Sequence, residues 1–242
     1  MGDKSDKGQI SADFVPAPKK AQSQSWLLEK IWSYIWVDRP PFIMSHTELV
    51  ALVFLLAMRV AGALFSVLND CDEVYNYWEP VNYLVRGFGM QTWEYSPEFA
   101  LRTYIFVYLL AAPGKLLSWF ITDGVTLFYA LRLLLALFGF SCEACMAYSV
   151  RRTFGPLVGL YFVVFLAVSS GPFAASVALL PSSFFMNCSM LVWALNMRAW
   201  QRSAVFMAIV ATLVGWPFAA VTFIPLCLQF FLYRGLVQTL VT

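Results

Sequence analysis

Acidic and aromatic residues concentrate in one polar segment, residues 69–102, which separates two apolar stretches. Six of the nine carboxylates that follow residue 46 lie in this segment, and three of them come close together at Asp70, Asp72 and Glu73. Eight aromatic residues share the segment. Carboxylates accept hydrogen bonds from hydroxyls, and flat apolar rings cover the C–H faces of sugars. The pattern therefore predicts carbohydrate chemistry, and the alternative is a solvated acidic loop whose rings form an interfacial aromatic belt.

The string Asp70-Cys71-Asp72 also matches the short DxD pattern with which nucleotide-sugar glycosyltransferases hold a divalent metal. Such an enzyme needs a soluble nucleotide-binding α/β unit, and the chain has no room for one. We therefore expect no metal and no other cofactor, and metal-independent turnover. Cys142 and Cys145 form a CxxC pattern, but they lie in an apolar stretch, where a redox role is not favoured.

The composition is that of a membrane protein. Hydrophobic residues make up 60% of the chain and charged residues 12%, with a mean hydropathy of +0.69, whereas soluble domains carry about 25% charged residues. The net charge is only +2, and the basic residues form no stripe. These features exclude a nucleic-acid-binding protein.

The order of apolar stretches predicts an all-α, polytopic membrane protein. Residues 1–25 are expected to form a disordered cytosolic tail, and residues 26–41 an amphipathic helix in the membrane interface. Residues 47–68 provide about the 20 apolar positions that a first transmembrane helix requires. Further apolar spans are predicted at 103–121, 125–150, 157–180, 182–199 and 203–233, the last of which is long enough for two passes broken near Gly215-Trp216-Pro217.

Basic residues before the first span place the N-terminus in the cytosol by the positive-inside rule. Segment 69–102 is then lumenal. The same rule conflicts with span counting at Arg151, so either segment 103–121 re-enters the membrane or some arginines face lumenal lipid phosphates.

Arg59 and Arg132 lie inside apolar helices, where a charge costs about 2.5–3.5 kcal/mol. We expect them to form structural ion pairs, with Glu143 as one partner, or to bind phosphate.

Several strings carry a resemblance to a known family: DCDEVYNYWEP at 70–80, GMQTWEYSP at 89–97, ALR at 100–102, LPSSF at 180–184 and GWPF at 215–218. From about residue 46 to its end, the chain resembles the N-terminal half of the asparagine-linked-glycosylation α-1,2-mannosyltransferases, glycosyltransferase family 22. The resemblance implies a GT-C-type transmembrane helix bundle at the endoplasmic reticulum membrane, with a lumenal loop that contains short helices after the first span. It also implies inverting transfer of mannose from dolichyl-phosphate mannose to a dolichyl-diphosphate oligosaccharide, so that residues 47–242 would be a partial module with its catalytic loop at 69–102.

Inverting transfer needs one base for the attacking hydroxyl, whereas dolichyl phosphate leaves as a stable anion and needs no strong general acid. Related GT-C mannosyltransferases carry an acidic pair at the position of Asp72 and Glu73, which implies Asp72 as the base, with Asp70 and Glu73 as alternatives. Each of the three would otherwise cap a helix or bind Arg86 or Arg102. The residues expected to bind substrate are Tyr77, Trp78, Glu79, Trp93, Glu94, Tyr95 and Arg102.

Among these residues, Trp78, Trp93 and Tyr95 would stack on sugars or anchor the chain at the interface. Arg102 would meet a lipid phosphate or merely flank the membrane.

Three other functions remain open from the sequence. The abrupt end at Thr242 fits a truncated or non-catalytic membrane subunit of the same family, and the chain could also be a mannosyltransferase of glycosylphosphatidylinositol-anchor synthesis. A lipid or sugar transporter would use Arg59, Arg132 and Glu143 as pathway residues. Against the transporter, the polar chemistry lies at one membrane face, whereas transporters bind their substrates near the midplane.

Overall fold

The computed structural model describes residues 44–68 and 70–231. Within these ranges the chain is helical and contains no strand, which confirms the all-α prediction. The expected tail at 1–25 and the expected interfacial helix at 26–41 lie outside the described residues, as does the end of the predicted span 203–233.

Among the described residues, two helices are long and apolar enough, by length and composition, to cross a membrane. Helix α1 (His46–Phe65) begins at a capping box, in which the Glu48 amide donates to Ser45 Oγ and the Ser45 amide donates to Glu48 Oε2. Its 20 residues extend about 30 Å, close to the thickness of the hydrocarbon layer. The second such helix, Gly124–Phe154, begins at Asp123, whose carboxylate accepts from the Thr126 amide at 2.7 Å.

Short helices occupy the segment between α1 and the next apolar helix, as the sequence predicts. A π-helix (Glu73–Trp78) leads directly into α2 (Glu79–Arg86). Helix α2 ends at Gly87, whose φ of 83° is the left-handed conformation that glycine adopts readily. A 3₁₀ turn (Trp93–Tyr95) follows.

In the described part of the chain, the α-helices that follow are α3 (Ile105–Leu117), α4 (Gly124–Phe154), α5 (Pro156–Val168), α6 (Ser170–Ala175), α7 (Pro181–Met197) and α8 (Gln201–Val210). A π-helix (Ala211–Gly215) and a 3₁₀ helix (Pro217–Phe223) come next, and residues 224–231 are α-helical. The predicted break near Gly215-Trp216-Pro217 is present. The predicted span 157–180, by contrast, is divided between α5 and α6, because Ser169 adopts an extended conformation.

Helix α4 lies at the centre of the bundle, packed against α1, α5 and α7. The loop after α1 also packs onto the bundle, because Trp78 and its neighbours share a buried apolar cluster with residues of α3 and α4. The polar loop is therefore attached to the apolar helices by its own buried face.

Both arginines that lie within the apolar helices bond to protein groups. Arg59 Nε lies 2.8 Å from Glu143 Oε2, and both side chains are fully buried; Arg59 also donates to the Leu166 carbonyl at 2.9 Å. Arg132 donates to the carbonyl and hydroxyl of Ser66, at the end of α1. The predicted pairing of Arg59 with Glu143 is confirmed, and it joins α1, α4 and α5.

Candidate functional site

The first acidic residues after α1 have separate structural environments. Asp70 Oδ1 accepts from the Asp72 amide at 2.9 Å, so the Asp70 side chain caps the start of the helical turn. Glu73 is buried, and its Oε1 accepts from Trp78 Nε1 at 3.0 Å and from the Leu179 amide at 2.9 Å. Glu73 thereby ties the loop to the chain just before α7.

Asp72 is held on both carboxylate oxygens. Its Oδ1 accepts from Asn76 Nδ2 at 2.7 Å, and its Oδ2 lies 3.6 Å from Arg102 Nη2. The side chain nevertheless remains 56% exposed, so a ligand could still reach the carboxylate. Asn76 stands one helical turn after Asp72, and a π-helix at this point is of a kind often found at functional sites.

Arg102 is anchored by three different side chains. Its Nε donates to Glu94 Oε2 at 2.6 Å, and its Nη1 donates to the hydroxyl of Tyr77; Asp72 is the third partner. Burial opposes the charged guanidinium, but the hydrogen bond to Glu94 and the surrounding charges outweigh it and raise the pKa of Arg102. Burial also raises the pKa of Tyr77, so the phenol stays neutral at physiological pH.

One pocket of about 640 Å³ brings together three parts of the chain that are far apart in sequence. The loop contributes Asp70, Asp72, Tyr77, Glu94, Tyr95 and Arg102. The start of α7 contributes Leu180, Pro181 and Ser182, and residues 213–218 form the third part. Leu101, Thr103 and Phe106 complete the lining. Pockets for small molecules commonly enclose about 300–1,000 Å³, so the size is suitable for a sugar.

Four of the residues predicted to act in the site do not line this pocket: Glu73, Trp78, Glu79 and Trp93. Trp78 is buried against Phe128, with ring centroids 4.7 Å apart. Glu79 Oε2 accepts from the Met90 amide, and Trp93 is exposed with its ring edge-on to Phe99. Tyr95 reaches the pocket, but it is mostly buried and its hydroxyl donates to the Asn76 carbonyl at 2.7 Å.

Sequence reasoning assigned no chemical role to Asn76, Trp216 or Phe218. Asn76 could have been found from its spacing, since residues four apart on a helix face each other. The two rings had a weaker signal, the GWPF string at 215–218. Among residues 44–68 and 70–231, no three His, Cys, Asp or Glu side chains converge as a metal site would require.

Comparison with known proteins gives a family match over most of the chain. A family model described as the Alg9-like mannosyltransferase family matches residues 50–242. "Alpha-1,2-mannosyltransferase alg9" of Schizosaccharomyces pombe is 41% identical over 178 residues, which are 72% of this chain and 31% of that protein. "Alpha-1,2-mannosyltransferase ALG9" of Homo sapiens is 38% identical over 71% of this chain and 28% of its own length.

The protein of Saccharomyces cerevisiae named "Alpha-1,2-mannosyltransferase ALG9" is 31% identical over 81% of this chain and 36% of its own length. The matched part of the chain thus spans about a third of the length of these curated relatives. No solved structure gives a significant match.

Proposed function

The chain belongs to the Alg9-like mannosyltransferase family, and we propose that it contributes the catalytic loop of an enzyme that transfers mannose in α-1,2 linkage. The donor is dolichyl-phosphate mannose, the acceptor is a dolichyl-diphosphate oligosaccharide, and the site faces the lumen of the endoplasmic reticulum. One observation carries this proposal: a single pocket is lined by the Asp72 carboxylate, by Arg102 and by the aromatic rings of Trp216 and Phe218.

Asp72 is the proposed base. Glu73 is buried outside the pocket lining. Asp70 and Asp72 both line the pocket, but Asp72 is the one whose carboxylate is oriented by two further side chains, Asn76 and Arg102, while it stays more than half exposed. In the proposed reaction, the Asp72 carboxylate removes the proton of the acceptor hydroxyl while the hydroxyl oxygen bonds to C1 of mannose. The bond from C1 to the phosphate oxygen breaks, and dolichyl phosphate leaves with the electron pair.

Reconstitution of the chain with labelled dolichyl-phosphate mannose and a lipid-linked oligosaccharide tests this function. Label that appears on the oligosaccharide supports it. Transfer by a longer version of the chain but not by this chain would instead support a non-catalytic fragment, and movement of lipid or sugar without bond formation would support a transporter.

Asn76 and Arg102 are proposed to orient the base. Asn76 is 6% exposed and donates to one oxygen of Asp72, while Arg102 approaches the other. Glu94 and Tyr77 in turn hold the guanidinium. A planar group with a fixed fork of donors can serve three partners at once, which an ammonium group cannot do in the same geometry. We therefore propose that Arg102 acts by orienting the base within the protein, and not as a ligand of the lipid phosphate.

We expect Arg102→Met to lower kcat by about 10- to 100-fold, because small displacements of a catalytic group are this costly. The KM for dolichyl-phosphate mannose should stay nearly unchanged. Steady-state kinetics with the reconstituted enzyme checks both values. Arg86→Met is the matched control, since Arg86 lies in the same loop and bonds only the Thr122 carbonyl among the hydrogen bonds found for it. A large rise in donor KM with intact kcat would show that Arg102 binds the phosphate after all.

The proposed orientation can be read from Cys71, which is exposed between the two aspartates. In sealed microsomes of the endoplasmic reticulum, we expect a membrane-impermeant maleimide to leave Cys71 unmodified until detergent opens the vesicles. The measurement uses a variant in which the other exposed cysteines, Cys145 and Cys227, are replaced by serine. Cys71→Ser should remove the remaining label. Modification of Cys71 in sealed vesicles would place the loop in the cytosol and contradict the proposal.

A further inference from the structure

The pocket that contains Asp72 also has an aromatic surface that the sequence did not assign to the site. We propose that Trp216 and Phe218 form a stacking subsite for a pyranose ring of the substrate. This inference rests on the proposed function, because the polar groups that complete the subsite are those of the mannosyl-transfer pocket. The inference assigns sugar stacking to these two residues, which follow α8, and not to Trp78 or Trp93.

Local sequence explains why these two rings project from the backbone. The π-helix that follows α8 ends at Gly215, and Trp216 is extended, with φ of −125° and ψ of 101°. Pro217 then begins a 3₁₀ helix, as suits a residue without an amide hydrogen. The Ala219 amide donates to the Trp216 carbonyl at 3.1 Å, which fixes the turn.

The backbone of this turn is pressed against α7. A Cβ atom at Gly215 would lie 3.0 Å from Phe184 Cδ1 and 3.3 Å from the Pro181 carbonyl oxygen. Farther along, buried Phe223 packs on Phe185 with ring centroids 5.2 Å apart. The segment is thus fixed at both ends, so the rings between them stand on a firm support.

The exposure of the rings points to a ligand. Trp216 is 47% exposed and Phe218 is 84% exposed, although both line a pocket whose other residues include two aspartates, a glutamate and an arginine. Small-molecule pockets pair apolar surface with a few polar groups that fix orientation. A hexose matches this pairing, since its C–H face covers a ring while its hydroxyls reach carboxylates. A lipid chain would cover the rings but would form no hydrogen bond with the exposed Asp72 carboxylate or the other polar groups of the pocket.

A pyranose ring is present in both substrates, as the mannose of the donor and as the terminal sugar of the acceptor. Kinetics separate the two sources. We expect Trp216→Leu to raise the KM for one substrate by about 5- to 10-fold, within the range of an aromatic contact, and Trp216→Phe to restore most of the lost affinity. A rise for dolichyl-phosphate mannose assigns the donor sugar, and a rise for the oligosaccharide assigns the acceptor sugar. Unchanged KM values for both would overturn the inference.

Trp93→Leu is the matched control, because Trp93 is at least as exposed as Trp216 but lies outside the pocket lining. The Trp93→Leu variant should leave both KM values unchanged. An effect equal to that of Trp216→Leu would indicate that both tryptophans act only as anchors at the membrane interface, and it would overturn the subsite. Phe218→Leu removes the other ring of the proposed subsite. A ring this exposed contributes little to the packed core, so this variant should stay folded and its kinetics should report on the subsite alone.

A binding measurement that needs no turnover separates this inference from the proposed function. Saturation-transfer NMR uses methyl α-mannoside and the chain in nanodiscs, with the aromatic resonances irradiated. We expect signal at the C–H protons of the sugar with the wild type, Trp216→Phe and Trp93→Leu, and its loss with Trp216→Leu. Absent signal in the wild type, or signal that survives Trp216→Leu, contradicts the subsite. If Asp72→Asn leaves mannose transfer intact while this signal depends on Trp216, the proposed base fails and the subsite stands.

Discussion

Asp72→Asn is expected to reduce kcat for mannose transfer by about 10²- to 10⁴-fold, the usual contribution of a positioned general base. The amide has the size of the carboxylate and can still accept from Asn76 through its oxygen, so the loop should keep its shape. It cannot, however, take a proton from the attacking hydroxyl. The measurement is transfer of labelled mannose by the reconstituted enzyme, with KM for both substrates determined alongside.

The two neighbouring carboxylates supply matched controls. Asp70→Asn keeps an oxygen that can accept from the Asp72 amide, so we expect activity within a few fold of the wild type. Glu73→Gln alters a buried acceptor of two hydrogen bonds, and its effect should appear first in stability. If Asp70→Asn were the variant that lost transfer while Asp72→Asn retained it, the base would have to be reassigned.

The sequence predicts the long apolar helices well, because the length of an uninterrupted apolar stretch is itself the evidence for such a helix. The span predicted at 47–68 is α1, His46–Phe65, and the span predicted at 125–150 is α4, Gly124–Phe154. Residues 157–180 show the limit of that signal. The stretch carries no charge and is mostly apolar, but Ser169 becomes extended and its hydroxyl donates to the Phe165 carbonyl, so two short helices replace one. Composition alone does not distinguish an interrupted span from a continuous one.

The candidate site, like the fold, was predicted from the sequence only in part. Its acidic loop is visible in the sequence because carboxylates are rare in an apolar chain, and the structure places Asp70, Asp72, Glu94 and Arg102 in one pocket. Which aromatic rings face that pocket could be predicted only in part, since Tyr77 and Tyr95 line it as expected but Trp216 and Phe218 were not assigned to it. Trp78 and Trp93 occur in the same loop, but one is buried against Phe128 and the other lies outside the pocket lining. The orientation of a ring depends on which partner packs against its helix, and that partner is distant in sequence.

Contacts between residues far apart in sequence also hold the site in place, and the sequence alone does not reveal them. Glu73 resembles the other carboxylates in type and position, yet it accepts from the Leu179 amide, 106 residues away. This bond lies just before the start of α7, whose residue Ser182 lines the pocket. A residue predicted as a candidate base is thereby proposed to position the opposite part of the lining, a role that depends entirely on a long-range contact.

Glu143→Gln is expected to destabilise the bundle by about 3–5 kcal/mol, the cost of leaving one member of a buried ion pair without its partner. Arg59 and Glu143 are both fully buried and lie 2.8 Å apart. Arg59 also holds the Leu166 carbonyl, so its displacement should loosen α1 from both α4 and α5. The measurement is the free energy of unfolding in mixed micelles titrated with denaturing detergent.

The double variant Arg59→Met with Glu143→Leu distinguishes the pair from a packing effect. With both charges gone, no group is left charged and unpaired, and apolar replacements of buried ion pairs are often neutral or stabilising. We therefore expect the double variant to be more stable than Glu143→Gln alone, with activity close to the wild type, because neither residue lines the pocket. Lost transfer in a well-folded double variant would instead favour phosphate binding by Arg59. A destabilisation equal to the sum of those of the single variants Arg59→Met and Glu143→Leu would show that the two charges do not interact.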